Sequence, residues 1–180
     1  AAGSTKANET KAEFGPITPS EPVLEMIVDP GESNLGDFTP EEVSTKTTTI
    51  KIRSYLSDGY TIQIVGNSLS YDGHTLATLG STNVSTPGVE QFGMNVVEND
   101  IPDVGEDPVQ VPSSETSFGE AAPGYDMANF FTFNDGDVIA KSTKESGRTD
   151  YTISMIVNVS STTPAGEYTG DFSAVVVPVF

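Results

Sequence analysis

The chain has no cysteine and no tryptophan among its 180 residues. Without cysteine there is no disulfide framework, thiolate metal site or cysteine nucleophile. Histidine is nearly absent too: His74 is the only one, so a Ser-His-Asp relay would have to use it, and no Gly-x-Ser-x-Gly elbow accompanies it. Catalysis is therefore not expected. Basic residues are scarce, 8 Lys+Arg against 26 Asp+Glu, for a net charge of −18. A chain this acidic, with no local basic patch, repels phosphate backbones and is not a nucleic-acid binder. No run of about 18 apolar residues occurs, which excludes a hydrophobic membrane-spanning helix. No helical periodicity extends beyond about two turns.

What remains is β-strand pattern. Tyr151, Ile153, Met155, Val157 and Val159 recur at period two, with Thr152, Ser154 and Asn158 between them. That is the alternation of a half-buried strand. Ser160 to Gly166 breaks the chain, and Glu167 to Phe180 resumes as a second long strand. Ile50, Ile52 and Leu56 share a face, and Ser57-Asp58-Gly59 followed by Tyr60 to Val65 reads as a hairpin. Tyr71-Asp72-Gly73-His74 is a second tight turn, Gln91 to Val97 a further strand, and Phe130 to Phe133 with Val138 to Ala140 a further hairpin about Asn134-Asp135-Gly136. Glu98 to Asn129 carries four prolines and little periodicity, which suggests a packed Ω-type loop or short strands such as Val109 to Val111. These elements predict an all-β fold, an Ig-like or jelly-roll β-sandwich of residues 23–180, preceded by a flexible or subunit-exchanging extension over residues 1–22.

That extension is small and polar, with only Phe14 and Ile17 to bury. Val23 to Val28, by contrast, is apolar on both faces except for Glu25 and needs partners. Val23, Leu24, Met26, Ile27 and Val28 are thus the expected subunit interface, by addition of one copy's strand to the next copy's sheet. Asp100, Asp103, Glu106 and Asp107 crowd hard oxygen ligands into one loop and are the candidate Ca²⁺ site; no other cofactor is expected. Asn8, Asn83 and Asn158 stand in N-x-Ser/Thr patterns. A lysine crosslink would need an inward lysine beside a buried acid. Lys51 alternates out of phase with Ile50 and Ile52 and is expected to face water.

The segment Thr162-Thr163-Pro164-Ala165-Gly166-Glu167-Tyr168-Thr169-Gly170, running into a valine-rich strand, resembles the ending of bacterial cell-surface β-sandwiches, WxL-type wall-associated domains and fimbrial or pilin-like subunits. Asp58-Gly59-Tyr60-Thr61 and Gly88 to Asn95 are similar to the body of such proteins. The Trp-x-Leu motif itself is missing. The resemblance implies a secreted, extracellular or cell-surface protein, and the start Ala1-Ala2-Gly3-Ser4 suits a chain trimmed after a signal peptide. The expected role is structural subunit of a surface fibre or pilus, a homo-oligomer or polymer. A monomeric module binding glycan or cell wall is the alternative, and a viral coat subunit a third.

Overall fold

The computed structural model describes residues 13–16, 23–29, 35–55 and 58–180. Among them there are fifteen strands and no helix. They are β1 (Leu24–Val28), β2 (Ser44–Ser54), β3 (Tyr60–Gly66), β4 (Ser70–Tyr71), β5 (His74–Thr75), β6 (Asn83–Val84), β7 (Gln91–Asn95) and β8 (Asn99–Asp100). There follow β9 (Asp103–Val104), β10 (Val109–Val111), β11 (Glu120–Ala121), β12 (Phe130–Phe131), β13 (Val138–Ser142), β14 (Ser146–Asn158) and β15 (Phe172–Pro178). The all-β class read from the sequence is the observed one.

Two antiparallel sheets face each other. The first runs β1-β2-β14-β10, and β14 is long enough to pair also with β7 beyond β10. The second runs β11-β13-β3-β15. Ile50 and Ile52 of β2 and Tyr151 and Ile153 of β14 meet Tyr60, Ile62 and Ile64 of β3 in one core. Period-two alternation puts these side chains on one face of each strand, and burying that face against the other sheet is what removes them from water. Phe92, Phe133 and Phe172 form an aromatic triplet with ring centroids 5.1–5.4 Å apart, which seats the start of β15 on the core.

Two expected pairings do not form. β2 and β3 lie in different sheets, so the chain passes through Asp58-Gly59 from one sheet to the other as an arch and not as a hairpin, Ser57 lying outside the described residues. β14 and β15 likewise lie in different sheets. After Phe133 the Asn134-Gly136 turn is present, with Gly136 at φ +83°, but β12 pairs with β6 while β13 pairs with β3 and β11. Turn residues fix a reversal of the chain, and both hairpins and arches reverse it; the choice of partner is made by the core. The Tyr71–His74 hairpin does form, with Asp72 and Gly73 both at positive φ.

β14 is also more deeply buried than a half-buried strand. Its second face carries Ser154, Ile156 and Asn158, all buried. Ile156 packs with Val104 and Phe131 under the excursion 98–133, which contains five short strands in place of a bare loop. Asn158 donates to Gln91 Oε1 and Ser85 Oγ, both at 2.9 Å, so it is sealed from any glycan.

Candidate functional site

Three features could carry function: the open end of the sandwich, the acidic loop and the outer face of the first sheet. At the pole where β1 and β14 end and β15 begins, the sheets part around a groove of about 1230 Å³. Its floor is apolar, from Val28, Ile64, Met94, Met155 and Phe172. Its rim is aromatic. Tyr168 lies 5.8 Å from Tyr71, 6.1 Å from the His74 ring and 6.5 Å from Phe38, centroid to centroid.

The rim loop is held at its base by Glu90. One carboxylate oxygen accepts from the Ala77 amide at 2.9 Å, and the other accepts from Thr163 Oγ1 at 2.8 Å and lies 2.9 Å from His74 Nε2. Burial acts to raise the Glu90 pKa, but these hydrogen bonds and the neighbouring imidazole outweigh it and hold the carboxyl below its ordinary value. The single histidine is thus paired with a carboxylate that ties three loops together, an arrangement that organises the rim.

Two long strand edges flank this part of the molecule. Among the described residues β1 pairs with β2 alone, from Leu24↔Ser54 to Val28↔Ile50. β15 pairs, among the described residues, with β3 alone and carries no charged residue. Val175, Val177 and Val179 stand out from its free face at 42%, 38% and 39% exposure. Of the expected interface residues, Leu24 and Met26 pack against the core, Val23 and Ile27 are half-buried, and Val28 is exposed at the groove. Among the described residues, Val23 to Val28 therefore has one strand partner, not two.

The acidic loop is tied together by its own backbone and side-chain hydrogen bonds. Asp100 and Asp103 pair across β8 and β9, Asp107 Oδ1 accepts from the Glu98 amide at 3.1 Å, and Glu106 lies between. Among the described residues no group of three or more acidic or histidine side chains comes close enough to hold a metal. The organiser is Asn99, buried in the loop, a role that its sequence neighbours do not disclose. Its amide donates to the carbonyls of Val97 and Val104 at 2.8 Å, and its oxygen accepts from the Asn129 amide at 2.8 Å. Asn129 in turn accepts from the amides of Asp100 and Ile101.

On the outer face of the first sheet, residues 13–16 lie across β1, β2 and β14. Arg53 pairs with Glu25, donates to the Gly15 carbonyl at 2.6 Å and stacks on Phe14 at 4.6 Å. Arg148 bonds Glu13 and grips Asp150 at 2.6 and 2.7 Å. Lys51 is in the outward phase, as the alternation predicts, yet it does not face water. It is 3% exposed, with Nζ 3.3 Å from Asp29 Oδ2 and 3.6 Å from Glu13 Oε1. The cause is the covering segment, which single-strand periodicity cannot foresee. No family model, curated protein or solved structure matches the chain.

Proposed function

We propose that the chain is a structural subunit of an extracellular surface fibre, assembled by non-covalent strand exchange between copies. One observation carries the reading: among the described residues the edge strands β1 and β15 are both unpaired on their outer side, and β15 has no charge to discourage pairing. Long uncharged edges are sites of strand addition unless the fold blunts them. β1 is the element to exchange. It sits at an edge, buries only Leu24 and Met26 on the core, and can leave for the same seat on a neighbour without breaking an interior ladder. Head-to-tail exchange of this kind yields an open polymer.

The test is the assembly state of the full chain at high concentration. Polymers are expected, and deletion of residues 1–28 should abolish them while a peptide of residues 13–28 binds the truncated protein. A strictly monomeric full chain would overturn the reading. The aromatic rim of Tyr71, Tyr168 and Phe38 favours a second one, a monomeric glycan-binding module, because sugar rings stack on such side chains. Binding of cell-wall glycan lost on Tyr168→Ala, in a protein that remains monomeric, would select it.

A further inference from the structure

Three of the chain's eight basic residues, Lys51, Arg53 and Arg148, lie on the outer face of the first sheet, in a molecule with 26 acidic ones. β1 and residues 13–16 bring carboxylates to all three. Glu25 stands directly opposite Arg53 in the β1–β2 ladder and pairs with it. Asp29, one residue past β1, is fixed by its amide on the Thr49 carbonyl at 2.9 Å and reaches Lys51 Nζ at 3.3 Å. Glu13 spans Lys51 and Arg148. Arg53 also donates to the Gly15 carbonyl and lies over the Phe14 ring.

The two faces of β1 therefore differ in what they select. The inner face offers Leu24 and Met26 to the core, contacts that many apolar strands could reproduce. The outer face sets Glu25 and Asp29 against β2 at positions fixed by register. A foreign apolar strand, or the uncharged β15 of a neighbour, could fill the inner contacts. It would also take these carboxylates away from Lys51 and Arg53, whose side chains are only 4% and 11% exposed. Covered cations that lose counter-charges are costly. Specificity is a difference of affinities, and a face built this way penalises the wrong strand.

We propose that, given the exchange of β1 advanced above, these outer-face charges restrict it to copies of this chain. Glu25, Asp29 and Glu13 of the incoming copy are read by Arg53, Lys51 and Arg148 of the receiving one. The determining pair is Glu25–Arg53, because its members face each other across the ladder, where opposite charges stabilise and like charges repel.

Two single reversals in the full chain test this. Glu25→Arg sets two arginines against each other wherever that variant meets itself, and Arg53→Glu sets two glutamates. Each variant alone is expected to assemble at least about tenfold less than the wild type at equal concentration, read by light scattering and electron microscopy. Mixed in equal amounts they should assemble again as alternating copies. The cation that one presents on β1 meets the carboxylate that the other presents on β2, and the reverse junction pairs equally well. The double variant Glu25→Arg/Arg53→Glu restores the pair within one copy, so it should polymerise with itself and exclude wild-type copies carrying a different fluorescent label. Single variants that polymerise as well as the wild type would overturn the charge selection and leave strand exchange standing. Random co-assembly of double-variant and wild-type copies would do the same. Loss of assembly that neither the mixture nor the double variant repairs would trace to packing, not pairing, and would also overturn it. A wild-type chain that stays monomeric removes the exchange itself, and the selection with it.

Discussion

The phenol oxygens of Tyr60 and Tyr151 lie 2.9 Å apart in the core, and they come from opposite sheets. Burial raises the Tyr60 pKa from 10.0 to about 12, with its hydrogen bonds to Tyr151 and Thr149 opposing the shift. Burial raises that of Tyr151 further, and the Tyr60 phenol beside it adds to the shift. Both groups bind their protons more tightly folded than unfolded. Their contribution to stability is therefore complete below pH 10 and is lost as pH rises through the raised values. Chemical-denaturation curves should be flat from neutrality to pH 10 and then fall by about 1.4 kcal/mol per pH unit for each tyrosine. A protein whose stability is unchanged between pH 9 and 12 would contradict the buried pair.

Substituting one member separates the hydrogen bond from the packing. Tyr60→Phe leaves the Tyr151 hydroxyl with the Lys141 carbonyl as acceptor, a long bond of 3.3 Å. A loss of about 1–2 kcal/mol is expected in urea unfolding, and the double phenylalanine variant should lose less than the sum of the two single losses.

Glu90→Ala removes the acceptor shared by Ala77, His74 and Thr163. A fall in melting temperature of several degrees is expected, at about 2–4 °C per kcal/mol for a chain of this size. Hydrogen exchange should speed up in the rim loop before it does so in β14. Because the Glu90 pKa is lowered in the fold, the wild-type contribution is present above the ordinary carboxylate range and fades as pH falls through the depressed value.

At the arch, Gly59 has φ +83°, and a Cβ there would strike the backbone carbonyl of Ser142. Gly59→Ala is expected to cost about 1–3 kcal/mol from backbone strain alone, with more from the collision. Gly136→Ala, at the same φ but facing open space, should cost less. Equal losses would show that the contact with Ser142 is unimportant.

Calcium in the millimolar range is expected to leave the melting temperature where a chelator leaves it. Ca²⁺ takes six to eight oxygens, and Asp100, Asp103, Glu106 and Asp107 do not converge on a point. A rise on adding calcium would show that the loop can be gathered by the ion.

Much of this was legible in the chain because strand faces follow from period two. Ile50 and Ile52, Ile62 and Ile64, and Tyr151 through Val159 all point where alternation sends them. What alternation omits is the neighbour. It cannot tell that Tyr60 crosses the core from Ile50 instead of pairing beside it, since an arch and a hairpin share their turn residues. Nor does it reveal a third layer: Ile156 and Asn158 are buried by residues 98–133, and Lys51 by residues 13–16. Asn99 escaped notice for a related reason. A polar hub is defined by carbonyls from several loops, and these are adjacent only after folding.

The arch between β2 and β3 has a mechanical consequence. The Tyr55 amide donates to the Val23 carbonyl at 2.8 Å, and the Val179 amide donates to the Gly59 carbonyl at 3.2 Å. Both outer strands thus leave the molecule at the same pole, one from each sheet. Opposed tension on Val23 and Val179 would not run down the length of the sandwich. It would prise the two sheets apart at the arch like the covers of a book, breaking ladder bonds one at a time. Joining those two points with a short linker and opening the chain elsewhere should, for the same reason, yield a permuted protein that still folds.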